Sequence, residues 1–135
     1  MISGLILVMA LACTRYPDKP KLTISEYTKQ SVITKGVVEK IMAEQDYKKM
    51  HTIALAVESA RAVNCISVGE ECNLFGQVLN KIVESTQKSL PTPEENVAIY
   101  KLINDMDKAI SDGQEKLAGE WSVYIKSQSG KSEEK

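Results

Sequence analysis

The chain has 135 residues, 43% of them hydrophobic, 26% charged and only 5% aromatic, and its 17 basic and 18 acidic side chains leave a net charge of −1. No basic patch interleaved with aromatics and no run of Lys or Arg occurs, which excludes a nucleic-acid surface and an electrostatic hold on an anionic membrane. The length suits one domain with one modest core, and the wealth of Ala, Val, Ile, Leu, Lys and Glu predicts an all-α class. The fold expected is a small bundle of three to five helices.

Met1 to Cys13 opens the chain with an uncharged apolar run, Ile2 to Ala12. At about 1.5 Å per residue the run spans about 16 Å, half of a hydrocarbon core near 30 Å. It is too short to cross a membrane as a helix and matches the apolar region of a secretory signal. Ala10-Leu11-Ala12-Cys13 resembles the lipobox of bacterial prolipoproteins. The resemblance implies cleavage before Cys13, a diacylglycerol on its thiol, and residues 1–12 as a signal peptide. Thr14, rather than aspartate, follows the cysteine, which in Gram-negative lipoproteins implies the outer membrane, facing the periplasm. The chain departs from the family pattern at Ala10, where leucine is usual, and carries no Lys or Arg before Arg15. The same Ala10-Leu11-Ala12 is also a site for ordinary signal peptidase, which would give a soluble periplasmic or secreted protein. Cysteine parity favours lipidation: with Cys65 and Cys72 paired, Cys13 is the one left for a lipid.

Residues 13–22 read as a lipidated cysteine and an extended tether, because Pro17 and Pro20 disfavour helix at and before themselves. A span of about ten residues would hold the domain some 30 Å from the bilayer. The helical domain is expected over residues 23–126. Thr23 and Glu26 have capping-box spacing, and Val32, Ile33, Val37, Val38, Ile41 and Met42 follow at helical period. Near Gln45-Asp46 the stripe changes phase, so residues 23–64 form either two helices or one kinked helix. Cys65 and Cys72 lie seven residues apart, about 10.5 Å in a continuous helix, beyond the reach of about 7 Å that a disulfide allows. Their pairing requires a break, with Gly69 the natural turn. A further helix carries Leu74, Phe75, Val78, Leu79, Ile82 and Val83 on one side.

Thr92, Pro93 and Glu95 form a helix start, with cap, first-turn proline and capping-box glutamate. From there Ile99, Leu102, Ile103, Met106, Ile110, Gly113, Leu117, Trp121 and Tyr124 keep one phase, predicting a long C-terminal helix to about Ile125. A break at Asp112-Gly113 is the alternative. Gly113 on that stripe admits close approach of a neighbouring helix. Residues 127–135 are polar and are expected to form a disordered tail.

The chemistry-bearing residues are few. His51 is the single histidine, Tyr47 and Leu55 beside it are not ligands, and Glu58 is one residue out of register, so a structural histidine is expected and no metal. The Cys65–Cys72 spacing is wider than redox or zinc pairs and reads as a structural disulfide. No phosphate-cradling glycine loop or nucleophile elbow appears, and no catalytic residue or cofactor is assigned. Glu70 and Glu71 read as solvated loop charges, or as a recognition point for a cationic partner. Trp121 reads as a core anchor, or with Tyr124 as a partner-binding pair.

The function expected is that of a non-enzymatic envelope lipoprotein, bound to a membrane through its lipid and acting on another envelope protein. The alternative is a periplasmic inhibitor, immunity or exclusion protein directed at a toxin, phage or plasmid system. A structural oligomer joined through the long helix is a third reading.

Overall fold

The computed structural model describes residues 18–133, which form four helices and, among the described residues, no strand. The helices are α1 (Ile24–Ala43), α2 (Tyr47–Asn64), α3 (Glu71–Ser85) and α4 (Pro93–Glu133). The expected all-α bundle with a long C-terminal helix is what forms, and residues 23–64 make two helices. The signal and lipidation residues, including Cys13, lie outside the described residues.

Three of the four starts are fixed by a short polar side chain, while Glu70, before α3, makes no side-chain cap. Thr23 Oγ1 accepts from Glu26 N at 3.0 Å, and Asp46 Oδ1 accepts from Lys48 N at 3.0 Å. The break between α1 and α2 is built by Glu44, whose carboxylate accepts from Gln45 N and Asp46 N. At α4 the capping box is complete: Thr92 N donates to Glu95 Oε1 at 2.9 Å and Glu95 N donates to Thr92 Oγ1 at 3.2 Å. The bond from the Thr92 backbone holds the Glu95 carboxyl below its usual range.

The helices run up, down, up, down. Arg61 reaches Cys72 and His51 reaches Thr86, so α2 and α3 are antiparallel. Tyr27 meets Ile110 while Leu22 meets Trp121, so α1 is antiparallel to α4. Helix α3 packs along both α2 and α4, and its Phe75, Val78, Leu79 and Ile82 form the centre of the core. Helix α1 adds Tyr27, Val38 and Ile41, and α4 adds Ile99, Met106, Ile110 and Leu117. It is held less closely than the others, against α4 and still more sparsely against α2.

The 41-residue α4 spans about 60 Å and passes unbroken through Gly113. That glycine is there for space. A Cβ on it would lie 2.1 Å from the Tyr27 hydroxyl oxygen and 3.0 Å from Cζ of the same ring. The helix also continues beyond Ser127 to Glu133, where the sequence predicts a tail. A helix already about nine turns long adds one hydrogen bond for each further residue fixed, and Lys131 and Glu133 are good helix formers.

The tether is also shorter than predicted. Leu22 is buried and its carbonyl oxygen accepts from Trp121 Nε1 at 2.7 Å, so the last predicted tether residue belongs to the core.

Gly113→Ala should destabilise the fold by about 1–3 kcal/mol in urea denaturation, because overpacking against a rigid buried ring outweighs the gain in helix propensity. In a Tyr27→Phe background, which removes the atom that would clash hardest, the same substitution should cost less. Equal costs in both backgrounds would contradict the packing account.

Candidate functional site

The break at Glu44 to Asp46 sends α2 back beside α1, but the two helices do not close on each other. Between them lies an apolar groove of about 390 Å³. Ile33 and Val37 line it from α1, Val57 and Ala60 from α2, and Phe75 of α3 forms its floor. Glu26, Lys29, Gln30, Thr34, Arg61 and Asn64 contribute the rim. Ile33 is 57% exposed, a large apolar side chain left in water at the groove wall.

One end of the groove is closed by the disulfide turn. Cys65 and Cys72 are bonded, with Cα atoms 6.0 Å apart, so the helix breaks between Asn64 and Glu71 as the spacing requires. Gln30 of α1 clamps this turn: its Nε2 donates to Ile66 O at 2.7 Å and its Oε1 accepts from Ile66 N at 3.4 Å. Cys65 itself lines the groove.

Arg61 forms the α2 shoulder at this same end. Its guanidinium pairs bidentately with Glu58, at 2.6 and 2.8 Å, and Nη1 donates to Cys72 O at 3.3 Å. It lies over Gly76, where a Cβ would come within 2.9 Å of Cζ. The bond to Glu58 raises the Arg61 pKa further above its ordinary value. The side chain therefore acts as a fixed wall, its charge already matched.

Beneath the turn sits a buried polar node. Glu71 is only 5% exposed, and its carboxylate accepts from Val68 N and from Gly69 N at 3.0 Å. The Tyr27 hydroxyl donates to Ile110 O at 3.3 Å and lies beside the same carboxylate. Burial, then the Glu71 charge, pushes Tyr27 up to about 12.

The residues singled out in the sequence fall in different places. Cys65 and Cys72 are paired at the groove's end. Glu71 faces inward and is not presented to a partner: its carboxylate is taken up by the two turn amides that precede α3. Glu70 is exposed and accepts from Asn73 Nδ2 at 3.2 Å. Trp121 and Tyr124 lie half-buried on α4, edge to face at 5.8 Å, away from the groove. His51 is a structural residue. The Thr86 hydroxyl donates its one proton to Ile82 O at 2.7 Å, so His51 Nδ1, 3.0 Å away, is the donor in their bond. Among the described residues no three His, Cys, Asp or Glu side chains converge to hold a metal.

In the sequence Ile33, Val37 and Phe75 fall on apolar stripes, and Val57 and Ala60 fall on the new phase that follows Gln45-Asp46. What the sequence does not show is that two of these stripes face each other across a gap. Compared with protein-family models, with curated proteins and with solved structures, the chain matches none.

The node sets a pH dependence. The folded pKa of Tyr27, about 12, exceeds the unfolded value near 10, so its contribution to stability is complete below pH 10 and is lost as pH rises through 12. Alkaline unfolding followed by circular dichroism should show this loss, and Tyr27→Phe should flatten it. An unchanged profile in the variant would place the lost stability elsewhere.

Proposed function

We propose that this protein is a non-enzymatic envelope lipoprotein, anchored through Cys13, that binds an amphipathic helix of another envelope protein in the groove between α1 and α2. The observation that carries the reading is the groove itself. Its walls are apolar, it has room for a few large side chains, and its volume falls in the range of binding pockets, roughly 300–1,000 Å³. Two antiparallel helices over an aromatic floor are a common setting for helix-in-groove recognition, where apolar anchors one turn apart enter the groove. Ile33 and Val37 lie one turn apart, as such anchors require of the wall they meet.

Compartment is supported by independent chemistry. A disulfide persists in oxidising compartments and is rare in a reducing cytosol. That accords with the export reading of residues 1–12 and with a lipid on Cys13. No described helix is long and apolar enough to cross a membrane. Two or three acyl chains suffice for stable anchoring, where one is marginal.

The anchor is tested by the mass of the N-terminal peptide from protein purified from its native membrane. A diacylglyceryl or triacyl mass on Cys13, lost in Cys13→Ala, is the expected result; an unmodified Cys13 at the N-terminus would replace the anchored reading with a soluble exported protein. Binding is tested by cross-linking the envelope and recovering the protein. Ile33→Glu, at an exposed position, should leave stability within about 0.5 kcal/mol while losing the recovered partner. Recovery of the same partner by both proteins would remove the groove from the account.

A further inference from the structure

We infer that the outer face of α2 joins a second copy of this chain, antiparallel, about a two-fold axis at Ser59. The inference stands apart from the groove and from the lipid. Thr52, Leu55, Ala56, Ser59, Ala62 and Val63 are exposed on one side of α2. Val57 turns from that side toward the groove, and His51 and Arg61 turn toward α3. Glu58 and Arg61, the charged residues between Thr52 and Val63, pair with each other on the α3 flank and leave the outer face uncharged. Val63 is 83% exposed, Leu55 46%, and Ile66, just past the helix end, 50%. A contiguous apolar face of this kind marks a contact surface.

The face complements itself. Leu55 and Ala56 stand one turn before Ser59, on its two sides, and Ala62 and Val63 one turn after. A two-fold axis at Ser59 reverses the helix but keeps its two sides. Leu55 of one copy then lies over Ala62 of the other, and Val63 over Ala56, so each large side chain meets a small one. Ile66 of the second copy comes to the shallow hollow formed by Lys48, Lys49, Thr52 and Ile53.

Charge selects the antiparallel copy. Lys48 and Lys49 are exposed at the start of α2, and Glu70 is exposed in the turn after its end. Among the described residues none of the three has an ion-pair partner. The antiparallel pair brings the basic start of each copy to the acidic turn of the other, twice by symmetry. A parallel pair would set Lys48 against Lys48, which repels.

The contact covers about three turns of helix, short for a dimer that must survive high dilution, so it is tested in the cell. Full-length copies carrying two different tags are expressed together in the native host. In a Ser59→Cys variant the Cα atoms should lie about 4–5 Å apart across the axis, for helices packed about 8–10 Å apart, within reach of a disulfide. Oxidation with copper phenanthroline should give a covalent species holding both tags, and none from Asn104→Cys on the exposed side of α4. Formaldehyde treatment needs no added cysteine: there Leu55→Glu should abolish capture of one tag with the other. Lys48→Glu and Glu70→Lys should each reduce that capture several-fold, and the double variant should restore it. Absence of a two-tag species in both assays would overturn the dimer. Adducts of Ser59→Cys with a foreign protein, and none with both tags, would overturn the second copy as occupant. A double variant no better than the single ones would overturn the antiparallel register.

Discussion

Tyr27 occupies the space that a Cβ at position 113 would fill, and the placement of α1 follows from that contact. The ring is 1% exposed and its hydroxyl is held between the Ile110 carbonyl and the Glu71 carboxylate. Three helices are thereby registered at one point: α1 through Tyr27, α4 through Gly113 and Ile110, and α3 through Glu71. A buried carboxylate is tolerated there because backbone amides and a hydroxyl surround it. Glu71 in turn takes up the amides of Val68 and Gly69, which lie inside the loop that Cys65 and Cys72 close. The disulfide and the node thus hold the same turn from its two sides.

The groove is a consequence of where α1 is fastened. Leu22 and Tyr27 bind it to α4 at one end, and Val38 and Met42 face Tyr100, Ile103 and Met106 of α4 at the other. Helix α2 is committed to α3 through Arg61 and His51. With each helix drawn to a different neighbour, the space between α1 and α2 stays unfilled, and Gln30 bridges it only at the disulfide end. Apolar wall residues then face water, an arrangement that costs stability unless a ligand or partner covers them. The rim charges do not fill the space, since Arg61 is already satisfied by Glu58.

Much of this fold was legible in the sequence, and for physical reasons. Helix starts follow from short-range bonds, and Thr23, Thr92 and Glu95 act as their spacing predicts. The cysteine spacing dictated a break, and the break lies there. Gly113 on an apolar stripe announced a close approach, although nothing local could name Tyr27, 86 residues earlier, as the visitor. The sequence misled where a polar residue is satisfied at a distance or by its own turn. Glu71 reads as a surface charge because the amides that bury it come from loop geometry. Leu22 reads as tether because two prolines precede it, while its burial depends on Trp121, 99 residues away. The groove was invisible for a similar reason: a stripe facing a neighbour and a stripe facing a gap have the same periodicity.

Whether a partner sits in the α1–α2 groove is open to direct test. Incorporation of a photo-activated benzophenone side chain at Ile33 or Val57, and at the exposed Asn104 of α4 as control, tests this in intact cells. Irradiation should give one discrete adduct from both groove positions and none of that mass from Asn104. The same adducts from all three positions, or none from the groove, would contradict the account.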